Sequence, residues 1–231
     1  MKRSKRYQQA EKQVDRNRLY SVEEAVVALK KLPKTKFDET IDVSIKLGVD
    51  TRKSDLAVRG SVKLPHGTGK TISVIVFCEP EFEAQAKAGG ADHVGSTELI
   101  KKIETGWTEF DYCIATPSMM RLVSRLGKVL GPRGLMPSPK NGSVTENVEL
   151  AVKEAKGGKV DFKMSKLGNV STGVGKLSFA DNALVENITE YLSALVKARP
   201  SGAKGKFISS IFLSSTMSPS FKLQLAKEFD V

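Results

Sequence analysis

Histidine, cysteine and tryptophan are scarce in this chain: two, two and one in 231 residues, with aromatics at only 6%. His66 and His93 do not combine with Cys78 and Cys113 in any spacing that would hold a metal, so no metal site is expected. Both cysteines lie in apolar runs and read as buried thiols rather than a disulfide, which suits a reducing compartment. No Ser, His and carboxylate set can be assembled for nucleophilic catalysis, so catalytic and cofactor-binding residues are expected to be absent. Apolar runs all fall short of the roughly 18 residues of a membrane-spanning helix. The N-terminus Met1-Lys-Arg-Ser-Lys-Arg6 has no apolar segment behind it to act as a secretory leader. The expectation is a cytoplasmic chain with no membrane partner.

What the sequence does have is basic charge, 37 Lys and Arg against 26 Asp and Glu, for a net +11. Its distribution matters more than its size. Residues 1–18 carry +5, 19–65 carry +2, 66–157 are neutral and 158–231 carry +4. An excess confined to the two ends implies that the outer segments share a surface facing a polyanion, while the middle is a separate body. The length exceeds the roughly 100–150 residues of a single common core, which also favours two bodies.

The pattern of apolar residues supports that division. Ser21-Val-Glu-Glu24 is a capping box, and Val22, Ala25, Val26, Leu29 and Leu32 follow at helical spacing up to Pro33. From Ile41 to Val49 apolar and polar residues alternate, the mark of a strand with one wet face. Val58 to Leu64 alternates less cleanly. In the middle, Ile72 to Cys78 and Phe110 to Ala115 are nearly continuous apolar strands, as in a sheet covered on both faces. Helical stretches from Glu79, Thr97, Pro117 and Val148 alternate with them, predicting a small layered α/β domain over roughly 66–157. The last part predicts strands at Lys159–Met164, Asn169–Val174 and Phe207–Leu213, with a long helix capped by Asp181. Residues 1–65 alone are too few to bury a stable core, so the outer segments must pair into one domain with the middle inserted. The stretch from Lys2 to Arg18 is expected to be mobile and to add only phosphate attraction.

Several segments are candidates for chemistry. Gly67-Thr-Gly-Lys-Thr71 resembles the tail of a phosphate-binding loop, but Leu64 stands where that loop needs a glycine and a strand follows where it needs a helix. Gly173-Val-Gly-Lys176 lacks a dinucleotide fingerprint. Both read as tight basic turns. Gly127 to Gly142, with four glycines and three prolines after an apolar helix, predicts an ordered exposed loop. Lys128, Arg133 and Lys140 on it either meet phosphates or belong to a plain connector. Lys34 to Thr40 and Ser214 to Pro219 combine small hydroxyls, an apolar side chain and nearby lysine. That mixture is able to meet ribose hydroxyls and pack on a nucleotide, while its ordinary reading is a cap and a turn.

Motifs in order along nearly the whole chain make it similar to the L-one family of large-subunit ribosomal proteins, in its bacterial form. The most specific are Gly131-Pro-Arg-Gly-Leu-Met-Pro137 with Pro139-Lys140 and Gly142, preceded by Ala115-Thr-Pro117 and Met119-Met120. Phe37-Asp-Glu-Thr40, Gly48-Val-Asp50, Gly173-Val-Gly-Lys176 with Phe179, and Thr216-Met217 before Pro219 agree as well. The resemblance implies an α/β protein. Residues 19–65 plus 158–231 form a discontinuous α+β RNA-binding domain behind a basic extension, 1–18. Residues 66–157 form an inserted Rossmann-like three-layer α/β domain. It implies a cytoplasmic, non-catalytic constituent of the large ribosomal subunit, monomeric off the ribosome. Its partners would be the stalk segment of large-subunit rRNA, deacylated tRNA leaving the exit site, and the leader of its own operon mRNA, which it would repress. The residues carried over are Lys36, Phe37 and Thr40 from the first segment and Lys166, Gly168, Ser215, Thr216, Met217 and Ser218 from the last. The lysines would contact phosphates, Thr40 and Thr216 would contact ribose hydroxyls and backbone, and Phe37 and Met217 would pack on a nucleotide. A dedicated translational repressor off the ribosome, or a nucleotide-binding enzyme built on Gly67 to Thr71, are the alternatives.

Two positions depart from the family pattern. Ser218 stands where glycine is usual, and either reshapes a close backbone contact or supplies a hydroxyl bond in its place. Ser165 stands where an aspartate is common. Neither removes the basic character of its segment, so rRNA binding is expected to persist.

Overall fold

The computed structural model describes residues 3–51, 56–203 and 205–224. Along the chain its elements are α1 (Lys5–Lys12), α2 (Val22–Lys31), β1 (Thr40–Leu47), β2 (Arg59–Lys63), β3 (Val74–Phe77), α3 (Pro80–Ala88), β4 (His93–Gly95), α4 (Thr97–Glu104), β5 (Tyr112–Ala115), α5 (Met120–Val123), α6 (Gly127–Arg133), α7 (Val148–Lys156), β6 (Lys159–Lys163), β7 (Asn169–Lys176), α8 (Asp181–Lys197), β8 (Ile208–Ser215) and β9 (Phe221–Leu223). They divide into two compact units. The described residues up to Gly69 and from Val160 onward form the first, and Lys70–Lys159 the second.

The first unit is built on an antiparallel sheet of order β7-β1-β8-β9. Alternation along β1 buries Ile41, Val43, Ile45 and Leu47 and leaves Thr40, Asp42, Ser44 and Lys46 on the other face. Each such buried aliphatic side chain contributes about 1.5–3 kcal/mol of transfer free energy. The apolar face is covered by α2 and α8, whose Ala25, Val26, Leu29, Leu184, Ile188, Leu192 and Leu195 belong to the same core. β2 pairs with β6, and Phe162 of β6 meets Tyr191 of α8 edge-to-face at 5.9 Å. Ser21 accepts from the Glu24 amide at 3.1 Å as the capping box requires, while the Glu24 carboxylate pairs with Arg18 rather than reaching back.

The second unit has a parallel sheet of order β4-β3-β5. Side chains of β3 point alternately to two apolar layers. Ile75 and Phe77 join Leu99, Ile103, Val123, Leu126 and Leu130, whereas Val74 and Val76 join Ala86, Val148, Val152 and Ala155. Helices therefore cover both faces, which is why these strands read as continuous apolar runs.

Three expectations from the sequence need correcting. Residues 127–133 are helical, not loop, despite Gly127, Gly131 and Pro132. Leu122, Leu126 and Leu130 continue one apolar stripe into the core, and that burial outweighs poor propensity until Gly134 ends the helix at φ 73°. Asp181 is the first helical residue of α8 behind Ala180, and it pairs with Lys30 at 2.5 Å instead of capping. The basic N-terminal stretch, described from residue 3, is not loose: Ser4 caps α1, and Ala10 and Val14 are buried in the core of the first unit.

Candidate functional site

Antiparallel pairing of β1 with β8 sets Ile41 opposite Ser215, so Thr40 and Thr216, 176 residues apart, meet at one end of the sheet. The Thr216 amide donates to the Thr40 carbonyl at 3.0 Å, and the Thr40 amide donates to the Thr216 hydroxyl at 3.1 Å. The Thr40 hydroxyl in turn accepts from the Lys176 ammonium at 2.9 Å. Both threonines are thus engaged in joining the segments, each hydroxyl retaining acceptor capacity. On the outside of this junction Phe37 is 54% exposed and Met217 50%, large apolar side chains left in water. Lys36 is exposed beside Phe37.

Beneath them lies a carboxylate. Glu39 is 2% exposed. Its Oε2 accepts from the Ser215 hydroxyl at 2.5 Å and from the Met217 amide at 3.1 Å, and its Oε1 accepts from the Thr35 amide at 3.3 Å. Burial pushes the Glu39 carboxyl up, but the bonds from Ser215, Met217 and Thr35 outweigh it and hold the group below its ordinary 4.5. Ser215 is itself buried and carries the link; it does not face outward. Ser218 closes the turn: its hydroxyl accepts from the Ser215 amide at 2.9 Å and donates to the Pro219 carbonyl at 3.0 Å. No described non-glycine residue has positive φ, so serine sits here without strain.

Lys166 and Gly168 occupy the turn between β6 and β7, at the opposite end of β1. The register pairs Thr40 with Lys176 and Lys46 with Asn169, so the two clusters are about 20 Å apart along the strand. Gly168 is buried at φ 78°, and its carbonyl accepts from the Leu47 amide at 2.9 Å. It shapes the turn, while Lys166 and Leu167 project from it into solvent. Ser165 bonds the Leu167 and Asn169 amides at 3.3 and 3.1 Å, the turn-closing work an aspartate side chain also does. Between the clusters runs the wet face of the sheet, with Ser44 and Lys46 on β1, Asn169 and Ser171 on β7, Ser210 and Phe212 on β8 and Lys222 on β9. Asp42 lies on it too, pushed up by burial against the pull of Lys176.

Sequence reasoning missed two contributors. Glu39 reads as one acid in a polar loop, and only the fold buries it. The second is the start of the chain, where Arg3 and the cap Ser4 with Arg6 and Tyr7 of α1 line a groove of about 370 Å³ with Thr216, Met217 and Ser218. The spacing of Tyr7, Ala10 and Val14 was the available signal for this amphipathic turn.

The remaining candidates stand elsewhere. Lys128 and Arg133 lie on α6 of the second unit, where the Arg133 guanidinium donates to the Thr108 hydroxyl. The Lys140 side chain lies outside the described part of the chain. Gly67 to Thr71 runs toward strand β3, and Asn187 of α8 fastens its start, accepting from the His66 amide at 3.1 Å and donating to the Gly67 carbonyl at 3.0 Å. His66 lies against Glu186, and His93 meets Trp107 edge-to-face. Among the described residues no group of three or more His, Cys, Asp or Glu is placed to hold a metal, and no helix is long and apolar enough to cross a membrane.

The assembled features define a two-unit α/β protein with a basic, hydroxyl-rich open sheet flanked by two loop clusters, a surface fitted to a polyanion. The model of the ribosomal protein L1p/L10e family matches residues 29–219, and the chain belongs to that family. It is similar to the large ribosomal subunit protein uL1 of Kosmotoga olearia, 51% identical over 226 residues, covering 98% of each chain. The protein of the same name from Protochlamydia amoebophila is 50% identical over 222 residues, covering 96% of this chain and 94% of its own. That of Chlorobium phaeobacteroides is 50% identical over 223 residues, covering 96% and 97%.

Proposed function

We propose that the chain is a constituent of the large ribosomal subunit that binds the stalk region of large-subunit rRNA through its first unit. In this reading residues 19–65 with 158–231 act as the discontinuous RNA-binding domain, and 66–157 as a Rossmann-like insertion. The observation that carries the proposal is the junction of Thr40 with Thr216, which holds Phe37 and Met217 half-exposed above a basic strand face. Exposed apolar side chains flanked by hydroxyls and lysines suit an RNA whose bases are unstacked and whose ribose hydroxyls are presented. Lys36 and Lys166 supply phosphate contacts at the two ends of that face, with Lys128, Arg133 and Lys140 as further contacts from the insertion. On the ribosome the protein assists release of deacylated tRNA from the exit site, and off it the same surface represses its own mRNA through the leader. Its working place is the cytoplasm.

The test is the affinity of the purified chain for its stalk rRNA fragment and its mRNA leader, each against a shuffled RNA of equal length at fixed salt. Tight, selective rRNA binding is expected. The double variant Thr216→Val with Met217→Ala should lose at least about 2 kcal/mol of that affinity while remaining folded, as at a hot spot. Equal binding to all three RNAs would reduce the surface to non-specific charge.

A further inference from the structure

Arg6 of α1 bonds main-chain carbonyls at both the Phe37 loop and the Met217 loop. Ser4 caps this helix by accepting from the Tyr7 amide at 3.3 Å, and Ala10 and Val14 seat it in the core, so Arg6 is delivered by an anchored element. Its Nη1 donates to the Pro33 carbonyl at 3.0 Å and its Nη2 to the Met217 carbonyl at 2.7 Å. Pro33 is where the chain leaves α2 and enters the loop carrying Lys36 and Phe37. Met217 is the exposed tip of the other loop. From below, Glu39 binds the amides of the same two stretches, Thr35 and Met217. The Met217 residue is therefore held at its N–H by an anion and at its C=O by a cation, and both ions also bond main-chain groups of the first loop.

We propose that Arg6 is a positioning residue for RNA recognition: its guanidinium fork clamps the Pro33 and Met217 carbonyls and fixes Phe37 and Met217 in the geometry that meets the nucleotide. The proposal rests on the RNA-binding reading above and adds to it a role for the N-terminal helix. A planar fork with diverging donors matches two carbonyls, whereas a lysine ammonium preserves charge without that geometry. The rival role is direct phosphate attraction, which lysine would preserve.

The experiment compares Arg6→Lys and Arg6→Met in the full chain. Affinity for the stalk rRNA fragment is measured over a series of salt concentrations, and the Met217 methyl resonance is followed by carbon-13 NMR without RNA. The clamp requires both variants to bind about tenfold more weakly, from the loss of charge-assisted bonds. It also requires Arg6→Lys to keep the wild-type salt slope, and the Met217 resonance to move toward its random-coil position in both. Core methyl resonances in the same spectra report whether the fold is intact. Wild-type affinity in Arg6→Lys, or an unmoved Met217 resonance in both variants, overturns the proposal. Should the wild-type chain show no preference for stalk RNA, the functional reading fails, and the RNA-free resonance still decides the clamp.

Discussion

The Met217 amide donates to the buried carboxylate of Glu39 at 3.1 Å, joining the second apolar tip of the surface to the residue just before β1. The two lie 178 positions apart, and the β1–β8 register brings them together. An ionised acid under a face proposed to bind RNA looks unfavourable until its bonds are counted. The Ser215 hydroxyl and two amides donate to it, so it ties the two loops to a buried floor.

Glu39→Gln is expected to destabilise the first unit by about 1–3 kcal/mol at pH 7, because the amide keeps one acceptor and adds donors facing donors. The pH dependence has a fixed sign. The folded carboxyl is held below its ordinary 4.5, so its stabilisation is complete above that pH and disappears as pH falls through the lower folded value. Urea midpoints from pH 3 to 7 should show a shallower acid limb in the variant than in wild type. Parallel limbs would mean that the Glu39 bonds carry no net stability.

Gly48→Ala tests the other end of the strand pair. A Cβ there would lie 2.2 Å from the Lys206 carbonyl oxygen, and the Gly48 amide already bonds the Phe207 carbonyl at 2.8 Å. The backbones of the β1 and β8 ends must part to admit a methyl group. A loss of about 1–3 kcal/mol is expected, read from denaturant unfolding, with the thermal transition lowered in step. The closest atom is backbone, so no side-chain rotation can relieve it.

How legible the molecule was depends on whether a signal was local. The period-2 pattern of β1, the box at Ser21 and the continuous apolar strand before Cys78 were readable, because each is a short-range property of side-chain placement. β9 was not: Phe221 and Leu223 are too short a run to mark a strand, and only pairing with β8 defines it. The helix over residues 127–133 hid behind two glycines and a proline, whose local message is a turn, until core burial of Leu130 reversed it. For the site, Phe37, Thr40, Thr216 and Met217 came from the motif resemblance and the fold gathers them, while Lys166 and Gly168 stand at the far end of the strand. Glu39 and Arg6 escaped notice because their partners are main-chain groups and a distant serine hydroxyl, which no sequence spacing reveals.

Neither thiol should react in the native protein. Burial pushes Cys78 up to about 11 and Cys113 higher still, and both side chains lie in the layers beside β3 and β5. At pH 8 a thiol-specific disulfide reagent should label fewer than about one group per chain over the time in which a denatured sample reacts fully, since the thiolate is the nucleophile. Rapid labelling of Cys113 without denaturant would show that the second unit opens more readily than its packing implies.

Ser218→Gly separates the turn's own chemistry from what it recognises. In the present chain the Ser218 hydroxyl is occupied on both sides, by the Ser215 amide and the Pro219 carbonyl. Removing it leaves the Ser215 amide without that acceptor and frees the backbone to leave its present basin. The first effect costs about 1 kcal/mol of stability. The second loosens Met217, which must then be ordered again on binding. Glycine therefore makes the turn a better fit to a close ligand only if it gains contact that the hydroxyl prevented. The expected result is slightly lower stability and RNA affinity within about threefold of wild type, since Glu39 and Arg6 still hold the Met217 peptide from both sides. A gain above about tenfold would show that the serine side chain obstructs the approach of RNA; a comparable loss would show that its hydroxyl holds the surface in its binding form.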